Sequence, residues 1–231
     1  MTTMIYNFDT TDRPALAEVG GKAQSLIATS KAGLPVPGGI ALCVAFFAPW
    51  TETFKATPEW TALLADPTKE TCDRVKALAS QMPLTQDQRA TLDRHLEALG
   101  DDAIFAVRSS SPEEDLAGSS FAGMYETFLG TTRDRLESVI AQAYASMFDI
   151  RVMSYKTRQG IALEGAAISV IVQRQIASDV SGVGFSLNPV NNCYDEAVID
   201  ASFGLGEAIV SGIDFATTGQ EVTVQAREGA R

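Results

Sequence analysis

The sequence predicts an α+β chain with a mainly helical first half and a sheet-rich second half. Three observations carry this expectation. Before Gly100 apolar residues recur at helical spacing, most clearly between Thr85 and Leu99. After Gly100 come short runs rich in Val and Ile, bounded by Gly, Asn, Asp and Pro. One long helical pattern, Leu136 to Phe148, interrupts those runs. The change of character places a helical part over 1–101 and a sheet-rich part over 102–231.

Each element has a local reason. Thr85 and Gln88 form a capping-box pattern, so a helix starts there. Leu92, Leu96 and Leu99 then share one face, and Gly100 sits where that helix ends. The strand-like runs are Ile104 to Val107, Ile168 to Val172, Val183 to Leu187 and Ala197 to Ile199. In the long helical pattern Leu136, Val139, Ile140, Ala143, Tyr144, Met147 and Phe148 repeat over four turns. Trp50 and Trp60 are expected in the core.

Composition narrows the function. The 231 residues are 45% hydrophobic, enough for one large or two small cores, and carry a net charge of −11. An acidic chain is a poor match for nucleic acid or an anionic membrane, which need clustered Lys and Arg. One nucleotide needs only a few well-placed donors. Cys43, Cys72 and Cys193 form no CxxC pair, which argues against zinc and thioredoxin-type chemistry and favours a reduced, cytoplasmic setting. No leader pattern is visible, and Gly39 to Trp50, the most apolar stretch, falls short of the roughly 20 residues of a spanning helix.

Five segments can carry chemistry. In Val19-Gly20-Gly21-Lys22 two glycines precede a cation and a helical pattern from Ala23 to Ala32. Such a loop suits an anion at a helix N-terminus, or is a plain turn with an exposed Lys. It lacks Walker A spacing. In Phe105 to Ser111 a strand ends in Arg108 and three serines, a guanidinium fork with extra donors for phosphate oxygens. Leu116 to Gly123 has the small residues of a mobile flap, led by acidic residues that reach a metal or simply face water, and Thr127 opens the next strand-like run. Val172 to Ile176 is a strand end suited to a flat base, or an ordinary edge. Ser202 to Glu207 again pairs glycines with a Glu that meets a ribose or metal, or is an exposed turn. His95, the only histidine, reads as packed or solvated rather than catalytic.

Taken in order, these stretches resemble the N-terminal nucleotide-binding module of phosphoenolpyruvate synthase and pyruvate phosphate dikinase. The likeness lies in VGGKAQSL, GLPVPGGIAL, FAVRSSSPEEDLAGSSFAGMYETFLG, ASMFDIRVMSY, ISVIVQRQIASDVSGVGFSLNP and FGLGEAIVSG, from Val19 to Gly212. The resemblance implies an ATP-grasp-like fold, ATP and Mg²⁺ as cofactors, and an ATP-dependent phosphotransferase of dikinase type. Phosphate would pass to a His on a separate swivelling domain or partner subunit, then to pyruvate or another acceptor. By position, Lys22 and Arg108 match the phosphate-binding and catalytic cations. Gly123, Met124 and Thr127 match the flap, Gln173 a nucleotide contact, and Arg174, Gln175 and Ile176 the adenine edge. Glu207 matches the GLGE segment. The metal ligands stay unassigned, because the family's module continues past Arg231 and Asp214 to Arg231 follows its pattern loosely. The implied fold is therefore incomplete at its C-terminal end, and the isolated chain is expected to be weak or inactive. The alternatives are a component of a rifamycin-type antibiotic phosphotransferase, or a non-catalytic nucleotide-binding or interaction module.

Overall fold

A computed structural model of the chain describes residues 3–112, 126–165, 167–189, 191–206 and 209. Two compact units are present, 1–175 and 176–231. The expected boundary at 101/102 lies inside the first.

The first unit is built on a five-stranded antiparallel sheet in the order β1-β2-β5-β3-β4. Its strands are β1 (Ile5–Asn7), β2 (Gly39–Leu42), β3 (Phe105–Ser110), β4 (Thr127–Thr131) and β5 (Ser169–Arg174). Cross-strand partners point to the same side of a sheet, so the register sorts side chains into two faces. Ile40, Leu42, Val107, Val170 and Val172 fall on one face, within the main core. Tyr6, Ala41 and Ile171 fall on the other, where Val19, Ala23 and Ile27 of α1 (Leu16–Lys31) cover them.

The main-core face is covered by the other helices. α2 (Ala48–Lys55), α3 (Pro58–Ala65), α4 (Lys69–Ala79), α5 (Gln86–Leu96) and α6 (Leu136–Ala145) all contribute buried side chains to that core. Its centre is aromatic. The Phe47 and Tyr144 rings stack at 4.7 Å, and the edge of Trp50 meets Tyr144 at 5.3 Å. The polar ends of these rings are satisfied. The Trp50 indole donates to the Pro83 carbonyl at 2.8 Å, and the Tyr144 hydroxyl pairs with that of Thr51 at 2.8 Å. Burial raises the Tyr144 pKa far above the ordinary phenol range.

The α+β expectation holds, and so does the Thr85–Gln88 capping box at the start of α5. Leu92 and Leu96 are buried on its inner face, and Leu99 is buried in the 3-10 turn Glu97–Leu99 that follows. Three details differ. β1 and β2 lie in the helical half, because strands of three and four residues buried on both faces leave no alternating pattern to read. β3 runs on through the serines to Ser110 instead of ending at Val107. The long helical pattern is broken. α6 gives way to a 3-10 turn at Ser146–Phe148, and Asp149 caps a separate α7 (Ile150–Gln159) through a 3.0 Å bond from Arg151 N.

In the second unit β6 (Val180–Phe185) and β7 (Val198–Phe203) form an antiparallel ribbon, paired from Val180↔Phe203 to Phe185↔Val198. The Gly204 N–H donates to the Asp179 carbonyl at 2.7 Å, and the Ser181 hydroxyl donates to the Gly204 carbonyl at 2.7 Å. No described helix is long and apolar enough to cross a membrane.

Candidate functional site

The sheet face under α1 gathers several of the singled-out residues. Arg108 on β3 pairs with Ile171 on β5 and with Thr127 on β4, so all three share that face. Ala106, two residues earlier, pairs with Gln173, which places Gln173 there too. α1 packs over this face against β2, β5 and β3, and Arg108 and Thr127 lie toward its β4 edge.

Arg108 is half-buried and has no ion-pair or hydrogen-bond partner among the described residues. Burial holds its guanidinium below the ordinary arginine value, because a cation loses hydration there. An anion brought to this face would gain from that unmet charge.

Lys22 follows a break in α1 whose backbone is tied to β3. Gly20 adopts φ 71° and ψ 166°, so the helical path stops and resumes beyond it. Left-handed backbone of this kind favours glycine. Val19, Gly20, Gly21 and Ala23 are buried, and Lys22 is exposed. The segment is held to the sheet by hydroxyls. Ser110 donates to the Val19 carbonyl at 2.9 Å and accepts from the Ala23 N–H at 3.3 Å. Ser169 shares its proton between the Val19 carbonyl and, at 3.0 Å, the Ser110 carbonyl.

The serines after Arg108 therefore do not act as open phosphate donors as expected. Ser109, Ser110 and Ser111 are all buried, at 2%, 0% and 0% exposure. The physical reason is the longer strand, which turns Ser110 under α1 and Ser109, paired with Val170, toward the main core, where it donates to the Glu126 carbonyl at 3.5 Å. Sequence reasoning noticed these serines but missed the clamp that Ser110 forms with Ser169. The only signal for it was hydroxyls at the ends of two strands facing a Gly-Gly pair.

Thr127 is exposed at the start of β4. Its neighbour Glu126 is tied down by Lys76 of α4 at 2.6 Å, and Lys76 also reaches Asp149 at 3.4 Å. Asp149 bonds Arg151 at 2.9 Å, and chiefly that contact holds its carboxyl down to about 2.

The β5 end is more committed to the fold than a base-binding edge requires. Gln173 is 4% exposed and its amide donates to the Pro37 carbonyl at 3.1 Å. The Arg174 N–H donates to the Gly38 carbonyl at 2.9 Å, while its side chain is exposed. Gln175 donates its N–H to the Ile104 carbonyl at 2.8 Å, and its side-chain carbonyl accepts from Gly130 N at 2.6 Å. Ile176 is 60% exposed and belongs to the second unit. Gly123, Met124 and Glu207, with the flap and its acidic lead-in, lie outside the described residues. Among the described residues no three His, Cys, Asp or Glu side chains are grouped to hold a metal. Cys43 and Cys72 are free and buried, and burial pushes their thiols up to about 12 and about 11.

The sequence is similar to those of known proteins. The pyruvate phosphate dikinase AMP/ATP-binding domain family matches residues 16–230. A rifampicin phosphotransferase of Streptomyces sp is 32% identical over 91% of this chain and 25% of its own length. The uncharacterized phosphotransferase YvkC of Bacillus subtilis is 35% identical over 84% of this chain and 22% of its own length. A probable phosphoenolpyruvate synthase of Methanocaldococcus jannaschii is 29% identical over 84% of this chain and 17% of its own length. The chain thus spans a quarter or less of these relatives.

Proposed function

This chain belongs to the pyruvate phosphate dikinase AMP/ATP-binding domain family, and on that premise we propose that it binds ATP for a phosphotransferase. The observation that supports this most is Arg108, a half-buried cation without a partner among the described residues. Around it the register places Thr127, while Ser110 on the same strand holds the Lys22 segment. In this reading the fold is ATP-grasp-like, and Lys22 and Arg108 grip the phosphates. Thr127, with Gly123 and Met124, borders the phosphoryl end. Gln173, Arg174, Gln175 and Ile176 are proposed for the base and Glu207 for the nucleotide, each by its match to the family's pattern.

Phosphoryl transfer needs positioning and charge neutralisation more than covalent help from the protein. Arg108 offers two parallel N–H donors to phosphate oxygens, and Lys22 a movable point charge. Mg²⁺ is proposed as the companion of ATP. Among the described residues no three His, Cys, Asp or Glu side chains are grouped to hold it, and no ligand is assigned to it.

The acceptor is proposed to be a His supplied by another domain or subunit. His95 bonds Asn7 of β1 at 2.7 Å, at the opposite edge of the sheet from β4. β1 and β3 are three strand steps apart, about 14 Å at about 4.8 Å per step. A phosphoryl group held at Arg108 is out of reach of His95. The final acceptor is proposed to be pyruvate or, as in the name of the rifampicin phosphotransferases, an antibiotic. The setting is proposed to be cytoplasmic.

The test is transfer of label from [β-³²P]ATP and [γ-³²P]ATP with Mg²⁺, with and without the swivelling His domain of a phosphoenolpyruvate synthase. Acid-labile label on the added domain, and none on this chain, is expected. Acid-labile label on His95 would overturn the relay. ATP binding with no transfer to any supplied His domain would favour a binding module.

A further inference from the structure

We infer that Ser110 and Ser169 are positioning residues for Lys22, holding its ammonium in fixed relation to Arg108. The inference rests on the reading that these two cations bind ATP phosphates.

The geometry that points to it is a single buried hydroxyl touching both flanks of an exposed lysine. Ser110 Oγ donates to the carbonyl of Val19, three residues before Lys22, and accepts from the N–H of Ala23, one residue after it. Ser110 and Ala23 are fully buried while Lys22 is exposed, so the side chain leaves the protein from a segment pinned on both sides. Ser169, also fully buried, adds a second hydroxyl to the Val19 carbonyl and reaches the Ser110 carbonyl across the β3–β5 pair. Gly20 makes the close approach achievable, because any Cβ there would collide with Ser110.

The strand that supplies the clamp also supplies the other cation. Arg108 and Ser110 are two residues apart on the same face of β3, about 7 Å along the strand. Lys22 and Arg108 therefore take their spacing from one rigid strand, although 86 positions of sequence separate them. A helix followed by a free loop would leave the lysine to find its place on each binding event, with the entropy cost that implies. A preset pair avoids much of that cost.

The experiment is calorimetric titration of the whole chain with ATP and, separately, with adenosine. The variants are Ser110→Ala, Ser169→Ala, Lys22→Ala, Arg108→Ala and the two double variants joining each serine change to Lys22→Ala. Each serine variant should bind ATP about 5- to 10-fold more weakly, the factor for losing one net hydrogen bond's worth of positioning. Adenosine should bind them as it binds the unaltered chain, because it carries no phosphate for Lys22. Each double variant should bind ATP no more weakly than Lys22→Ala alone, since the serines act through Lys22. Additive losses, equal losses for ATP and adenosine, or a folded serine variant with unchanged ATP affinity would each overturn the inference. If Ser110→Ala does not fold, the Ser169→Ala pair of measurements decides. Failure of the unaltered chain to bind ATP would sink the ATP reading and this inference together. A loss confined to Lys22→Ala and Arg108→Ala would sink the inference alone.

Discussion

The hydroxyl of Ser110 occupies the space that a side chain on Gly20 would need. A Cβ built on Gly20 would collide with that hydroxyl and lie 2.5 Å from the Ser110 carbonyl oxygen. The Gly-Gly-Lys motif is thus fitted to strand β3 as much as to any ligand.

Gly20→Ala should therefore be costly. The left-handed backbone alone costs a non-glycine residue roughly 1–3 kcal/mol, and displacing the Ser110 clamp adds to that. Gly33→Ala makes a useful control. It has a similar φ of 77° but nothing within 4 Å of the added carbon. Urea unfolding should show Gly20→Ala clearly less stable than Gly33→Ala. Equal midpoints would mean that the close approach to Ser110 carries no energetic weight.

Much of the fold could be read in the sequence where period and caps agree. The α5 helix announces itself through Thr85, Gln88 and its leucines, and each of the four expected strand-like runs overlaps a strand. What could not be read is of two kinds. β1 and β2 are too short to show a period, and both are buried on both faces. The serine clamp joins residues 59 and 91 positions or more apart, Ser110 with Ser169 and Val19 with Ser110, so no local pattern encodes it. For the candidate site, Lys22, Arg108 and Thr127 were legible as residue types in glycine- and serine-rich settings. The sheet face that Arg108 and Thr127 share appears only once the register is known.

Asp149 supplies an acid-side prediction. Its carboxyl is held down to about 2, chiefly by Arg151 and also by Lys76, against an ordinary value of 3.8. A depressed carboxylate stabilises the fold above its unfolded value, and that contribution is lost as pH falls through the folded value. The window is therefore from about 4 down to about 2. Asp149→Asn should lower thermal stability at pH 7 and flatten its decline through that window. A variant whose melting temperature falls with pH in parallel to the unaltered chain would contradict this role.

His95 gives the opposite sign. Burial, and then the charge of Arg94, lower its pKa below 6.5, so the folded state disfavours its protonation. The stability tied to neutral His95 is full above the ordinary value of 6.5 and declines as pH falls below it. His95→Gln removes the titrating group, and with it this slope. Stability measured at pH 5, 6 and 7 should vary less in the variant than in the unaltered chain. ATP affinity should be unchanged, because His95 sits at the β1 edge.

The most direct measurement of the central claim is ATP affinity with and without the Arg108 guanidinium. Calorimetry should show Arg108→Ala weakening ATP binding by roughly 1.5–3 kcal/mol, the worth of a charge-assisted hydrogen bond to a charged group. Circular dichroism should show the fold intact, since Arg108 has no hydrogen-bond or ion-pair partner among the described residues. Arg108→Ala binding ATP as tightly as the unaltered chain, with its fold intact, would contradict the account.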